Sequence, residues 1–106
     1  MLVVTRFRVP AEEAEAFRAE AERAAAVLAE QPGHLAGSLG RNADDPTLWA
    51  LVTRWAGAGA YRRALSAYDV KLAAVPLLSR ALDEPSAYEI AEPGADLNVA
   101  SARSLG

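Results

Sequence analysis

The chain has 106 residues, 52% of them hydrophobic and 24% charged, a composition typical of one globular domain. Its formal net charge of -3 argues against nucleic acid as a partner, because nucleic-acid binding relies on clustered Lys and Arg that neutralise phosphates. The lack of cysteine excludes disulfides, thiolate catalysis and cysteine-ligated metal centres, and the single histidine, His34, excludes metal motifs built on a histidine pair. The sequence shows neither a signal-peptide pattern nor an apolar run long enough to cross a bilayer, so we expect a cytoplasmic protein with no membrane partner and no metal.

The first two predicted elements are a strand and a long helix. Residues 2–9 alternate as a strand does; one face carries Val3, Thr5, Phe7 and Val9, and the other carries Leu2, Val4, Arg6 and Arg8. Residues 11–30 are predicted to form an amphipathic helix that begins after Pro10 and ends before the Pro32-Gly33 turn. Its inward stripe consists of Ala14, Phe17, Ala21, Ala24 or Ala25, and Leu28.

Two further strands are predicted to form a hairpin. Residues 34–42 give the weaker pattern because they contain Gly37 and Gly40, and residues 42–46 have the composition of a turn. Residues 47–55, TLWALVTRW, give the strongest strand pattern in the chain. One face of this strand carries Trp49, Leu51, Thr53 and Trp55, and the other carries Leu48, Ala50, Val52 and Arg54.

The rest of the chain is predicted to contain a second helical region, a short strand and a tail. A helix from residue 58 or 60 to about 75 has the stripe Tyr61, Leu65, Tyr68, Leu72 and Val75, and a short helix over 77–82 follows Pro76. Residues 86–91 complete a β-α-β-β-α-β order, which predicts a ferredoxin-like α+β fold: one antiparallel sheet with the helices on one face. We therefore predict one domain over residues 1–92 and a tail, residues 93–106, which is mobile in part and whose residues 97–100 can pair with a neighbouring strand.

The second face of the predicted sheet has no element left to cover it. Leu48, Ala50 and Val52 of the third strand and Leu2 and Val4 of the first make this face apolar at its centre. Because a small antiparallel sheet with one free side normally exposes polar residues there, we predict that a second copy of the chain covers it in a homodimer.

The candidate functional residues are aromatic. Trp55 ends the third strand, and Tyr61 follows six residues later at the first inward position of the next helix. An indole N–H and a phenol O–H at the mouth of a gap between sheet and helices can bind a planar aromatic that bears polar groups. Thr53, Tyr68 and Trp49 are candidate residues for lining the same gap. Simple core packing is the competing interpretation for Trp49, and for the two tyrosines as well.

His34 has two open interpretations. It can act as a base, but it follows the Pro-Gly turn at a predicted strand end, which favours a solvated or hydrogen-bonded side chain without a catalytic role.

Taken together, the element order, the hairpin start PGHLAGSLGR and the segment LWALVTRWAGAGAYRRAL resemble the antibiotic biosynthesis monooxygenase family over about residues 2–91. The resemblance implies a dimeric α/β barrel in which two ferredoxin-like sheets pack face to face. The family's quinone-forming branch inserts oxygen into phenolic aromatics without flavin, haem or metal. The resemblance therefore implies that no cofactor is needed and that Trp55 and Tyr61 are the catalytic pocket residues.

Three functions follow as hypotheses. The first is a cofactor-independent monooxygenase that oxidises a small aromatic, such as a phenol, an anthrone or a hydroquinone, with O₂. The second is a non-catalytic binding or accessory module, because the quinone-forming branch has an asparagine where this chain has Leu51 and an arginine where it has Val75. The third, a haem-binding protein, would need His34 as the iron ligand, and the haem-degrading branch has its axial histidine in the second helical region instead.

Overall fold

Within residues 1–97 the sheet has four antiparallel strands, and its two central strands come from the most apolar segments of this part of the chain. In the computed structural model, which describes residues 1–97, β1 (Leu2–Arg8) lies between β3 (Leu48–Trp55) and β4 (Ala87–Tyr88), and β2 (His34–Arg41) forms the other edge beside β3. Thr5 is opposite Leu51 and Phe7 is opposite Trp49. This strand order, with the helices packed on one face, confirms the predicted ferredoxin-like α+β fold.

One face of the sheet is buried under the helices. Every side chain of β1 and β3 that points to this face is at most 7% exposed, namely Val3, Thr5, Phe7, Trp49, Leu51, Thr53 and Trp55. The assignment of residues to faces from period-two alternation is therefore confirmed.

The opposite face of the sheet is covered by no element among residues 1–97. Its centre carries half-buried apolar side chains, which are Leu2, Val4, Leu48, Ala50 and Val52. Its arginines each pair with a carboxylate of the same chain: Arg6 with Glu84, Arg8 with Asp45, and Arg54 with Glu92. The face thus has an apolar centre and a rim of ion pairs.

The first helix packs on the sheet through the predicted stripe but is shorter than predicted. A single 3₁₀ turn, Ala11–Glu13, precedes α1 (Ala14–Ala29), so the α-helix begins three residues later than the sequence indicates. Its buried residues are Phe17, Ala21, Ala24 and Leu28. The Phe17 ring lies 5.1 Å from that of Phe7 and 5.4 Å from that of Trp49, which fixes α1 over the sheet.

The second helical region is divided into three short helices, where the sequence predicts one long helix and a short one. These are α2 (Ala58–Ser66), α3 (Tyr68–Ala73) and α4 (Val75–Leu78). Ala67 has an extended backbone with ψ of 140°, which breaks the helix. The buried residues are Ala60, Ala64, Val70, Ala74 and Leu77. The predicted stripe was wrong at Tyr68, which is 73% exposed, and at Leu72, which is 62% exposed, whereas Val75 packs against the core as predicted.

The last strand is also shorter than the predicted 86–91. β4 pairs only with Leu2 and Val3, while the preceding segment, residues 82–86, borders the rest of β1. Leu82 N–H donates to the Arg6 carbonyl and Val4 N–H donates to the Ser86 carbonyl, so this segment is fastened at its two ends and bows away between them. The sequence also predicts that residues 97–100 can pair with a neighbouring strand. Of these residues, the structure describes Leu97 alone. No helix within residues 1–97 combines the length and apolar character needed to cross a membrane.

Candidate functional site

Trp55 is at the C-terminal end of β3, where the sheet meets the start of α2. Its side chain is 1% exposed, and its indole N–H donates to the Thr53 hydroxyl at 2.9 Å. The two residues can bond because positions two apart on a strand share a face. The indole N–H is thus already used inside the sheet and is not available to a ligand.

Two other aromatic rings contact Trp55. The Tyr61 ring lies 5.4 Å from it on one side, and the His34 ring meets it at 5.0 Å and nearly edge to face, at 85°. Thr53, Trp55 and Tyr61 are therefore brought together as the sequence predicts. The contact with His34 was not predicted.

A bulge in β2 places His34 against Trp55. The register shifts between His34 and Ala36, so Leu35 is an extra residue, and His34 comes to lie on the helix-facing side. Gly37 leaves room for the imidazole, because a Cβ at this position would be 3.2 Å from His34 Nε2. Glycine within a predicted strand was the sequence signal for such an irregularity.

A groove opens beside Tyr61 at the edge of β1, where the bowed segment leaves the strand. Its volume is about 720 Å³. Three groups of residues line it: Val4, Thr5 and Arg6 of β1; Tyr61, Leu65, Val75 and Leu78 of the second helical region; and residues of the connection that follows, including Ser79, Asp83, Glu84 and Ser86. A smaller groove of about 540 Å³ also contains Tyr61 and Glu84, so Tyr61 lies where the two grooves adjoin.

Two hydroxyl groups in the larger groove lack a hydrogen-bond partner among the described residues. Thr5 is 7% exposed, and its hydroxyl is a polar group on an otherwise apolar side of β1. Tyr61 is half-buried, and burial raises the pKa of its phenol above the ordinary value of 10.0. At neutral pH both groups are therefore neutral and able to donate a hydrogen bond to a ligand.

An ion pair crosses the rim of the same groove. Arg6 Nε donates to Glu84 Oε2 at 2.7 Å, and Arg6 Nη2 donates to Glu84 Oε1 at 2.6 Å. Hydrogen bonding to Arg6 lowers the pKa of the Glu84 carboxyl, and the same bonds raise the pKa of Arg6. Both groups are charged at neutral pH. The sequence could not reveal this contact, because the two residues are 78 positions apart.

Two of the predicted site residues lie elsewhere. Tyr68 is exposed beyond the helix break, so the prediction that it lines the gap was wrong. Trp49 lies at the opposite end of β3, roughly 20 Å from Trp55 at about 3.3 Å per residue. It packs between Phe17 and the Arg41 guanidinium, and its buried indole N–H has no partner among residues 1–97. Within those residues no group of three or more His, Cys, Asp and Glu is placed to hold a metal ion.

The chain is similar to several solved structures. SnoaB, a cofactor-independent oxygenase from Streptomyces nogalater, is 28% identical with a TM-score of 0.72, over 86% of this chain and 92% of that one. A mutant of SnoaB is 31% identical with a TM-score of 0.65, over 76% of this chain and 82% of that one. A protein from Deinococcus radiodurans has the same fold, with 20% identity and a TM-score of 0.70 over 94% and 99% of the two chains.

The sequence profile of one family, antibiotic biosynthesis monooxygenase, matches residues 1–74. No curated protein matches the chain. The matched range contains all three large strands, α1 and the Thr53–Trp55–Tyr61 cluster. This chain belongs to the antibiotic biosynthesis monooxygenase family.

Proposed function

We propose that the protein is a cofactor-independent monooxygenase that oxidises a small phenolic aromatic with O₂. For a phenol oxidised to a quinone, one oxygen atom of O₂ becomes the new carbonyl, and the other leaves as water with two hydrogens of the substrate. The electrons come from the aromatic ring, so the protein needs to supply orientation, exclusion of water and stabilisation of the ionised substrate.

The observation that carries the proposal is the pair of unpartnered hydroxyls, Thr5 and Tyr61, in a groove walled by apolar side chains. A groove of about 720 Å³ is in the size range of small-molecule sites. A phenolate is more reactive toward O₂ than a phenol, and the Tyr61 O–H is a donor that can stabilise the phenolate oxygen. SnoaB, which is similar over most of its length, is a cofactor-independent oxygenase and supports this reading.

Trp55 has a different part in the proposed site from that of Tyr61. Its indole N–H donates to Thr53, so Trp55 acts through its ring, against which Tyr61 packs at 5.4 Å. This contact orients the Tyr61 phenol. Thr53 accepts the indole N–H bond and thereby holds Trp55 against Tyr61, so it is a positioning residue that does not itself contact the substrate.

A non-catalytic binding module is the second candidate, and two positions favour it. Leu51, where the quinone-forming branch has an asparagine, is 2% exposed in the core beneath the helices. Val75, where that branch has an arginine, lines the groove with an apolar side chain. The site would then bind the aromatic with Tyr61 as a donor but without the asparagine and the arginine of that branch.

Oxygen uptake by metal-stripped protein, measured with a panel of anthrones and hydroquinones, separates the two candidates. We expect uptake without added cofactor, and a fall in kcat/KM of roughly tenfold to a hundredfold in Tyr61→Phe, which loses one hydrogen bond to a charged oxygen. Tyr68→Phe is the matched control, because it removes the same atom from an exposed ring and should change kcat/KM by less than about twofold. Uptake that is equal to the uncatalysed background, with binding retained, would favour the binding module.

We further propose that the open face of the sheet forms a homodimer interface. Its apolar centre is covered by nothing among residues 1–97, and burial of such a face by a second copy gives a symmetric interface. Val52→Glu places a charge at this centre and should give a monomer by light scattering, whereas Arg23→Glu, an exposed change on α1, should not. A wild-type monomer would contradict the proposal.

A further inference from the structure

The larger groove has a net negative charge even though it contains an arginine. Among residues 1–97, the charged side chains that line it are Arg6, Asp83 and Glu84, so one positive charge faces two negative charges. A ligand that is already charged when it enters, such as a carboxylate, is repelled and also loses its hydration, whereas a phenol enters neutral and ionises only beside the Tyr61 O–H.

The arginine is not free to compensate for an anionic ligand. Two of its nitrogens, Nε and Nη2, donate to the two oxygens of Glu84, in the paired geometry that an Arg would use to hold a ligand carboxylate. The protein's own carboxylate thus occupies the position that a ligand carboxylate would need.

The same arrangement accepts hydrogen bonds well. Each Glu84 oxygen receives one bond from Arg6 and retains a further lone pair. The Ser79 hydroxyl donates to the Pro76 carbonyl at 2.7 Å, so its oxygen remains an acceptor too. The Thr5 hydroxyl also lines this groove and makes no hydrogen bond within residues 1–97, so it can donate to or accept from a polar ligand.

We propose that Glu84, held in place by Arg6, is a specificity residue that selects neutral hydroxylated aromatics and rejects aromatic carboxylates. This inference rests on the proposed function, because it concerns the same groove. A ligand hydroxyl donates to Glu84, and a ligand carboxylate finds a like charge there and an arginine that is already occupied.

The test compares two ligands with the same ring system, 2-naphthol and 2-naphthoate, by calorimetry at neutral pH. Wild-type protein should bind the naphthol at least about tenfold more tightly, equivalent to about 1.4 kcal/mol. Glu84→Gln removes one negative charge and one of the two acceptors of Arg6, so naphthoate affinity should rise about tenfold and the preference should vanish or reverse. Glu20→Gln is the matched control, because it breaks another arginine–carboxylate pair, with Arg80, outside the groove. The Glu20→Gln variant should prefer 2-naphthol over 2-naphthoate as strongly as the wild type does.

The outcomes separate this inference from the proposed function. Equal or tighter binding of naphthoate by the wild type would overturn the inference, while cofactor-free oxygen uptake would still support the monooxygenase. An equal shift in Glu84→Gln and Glu20→Gln would overturn it too, because the effect would then come from overall charge. Binding of neither ligand would also overturn it. The predicted preference without oxygen uptake would support the inference and refute the oxidation chemistry.

Discussion

Gly33→Ala should destabilise the protein strongly, because Gly33 joins the site's elements at a position where no side chain fits. Gly33 has φ of 88°, and its carbonyl accepts a bond from Ala56 N–H just after β3. An added Cβ would be 2.5 Å from the Ala60 Cβ in α2. Left-handed backbone costs a residue with a Cβ about 1–2 kcal/mol, and overpacking costs about 1–3 kcal/mol. We therefore expect a loss of about 2–5 kcal/mol.

Urea unfolding monitored by tryptophan fluorescence measures this loss, and a double-mutant cycle divides it into its two parts. Ala60→Gly removes the overlapping atom and leaves the backbone strain, so the double mutant should be more stable than the sum of the single changes by about 1–3 kcal/mol. Gly40→Ala is the control, since its Cβ would meet nothing within 4 Å. A loss below about 1 kcal/mol in Gly33→Ala, or strict additivity in the cycle, would mean that the Cβ at this position is accommodated without strain.

Three further predictions concern other contacts. Thr53→Val removes the acceptor of the buried Trp55 N–H and should lower the free energy of unfolding by about 1–3 kcal/mol, measured with urea; no change would mean that the indole finds another partner. Hydrogen bonds from Thr47 and then Arg8 lower the pKa of Asp45 from 3.8 to about 2, so its contribution to stability is present above pH 3.8 and is lost as pH falls through about 2. Asp45→Asn should therefore weaken the dependence of the urea midpoint on pH in this range, and an unaltered dependence would contradict it. Because burial raises the pKa of Tyr61 above 10.0, stability should fall as pH rises past this value, and a spectroscopic titration of Tyr61→Phe against the wild type should lack the late-ionising phenol.

The central sheet could be predicted because its pattern is local. Alternation in LWALVTRW assigns Trp49, Leu51, Thr53 and Trp55 to one face, and the structure buries all of them. The same logic placed Trp55 near Tyr61, because the end of a strand and the start of the next helix are joined by a short turn.

The helix break and the groove could not be predicted, because neither has a local sequence signal. The helix break at Ala67 carries no glycine or proline signal, so nothing local predicted that Tyr68 points outward. The Arg6–Glu84 pair forms only because the segment before β4 returns to the edge of β1. Thr5 was visible as a polar residue in an apolar stripe, but its place in a groove followed only from the fold. The domain boundary at residue 92 stays a prediction.

The destination of the two atoms of O₂ distinguishes oxygen insertion into the substrate from simple removal of hydrogen. The protein, free of metal and added cofactor, would be given a phenolic or anthrone substrate under O₂ labelled with a heavy oxygen isotope, and the products analysed by mass spectrometry. We predict one labelled oxygen atom in each quinone product and the other in water, with a rate that falls in Tyr61→Phe and not in Tyr68→Phe. An unlabelled product, with the isotope found in hydrogen peroxide, would contradict oxygen insertion. Equal rates in Tyr61→Phe and Tyr68→Phe would contradict the role of Tyr61.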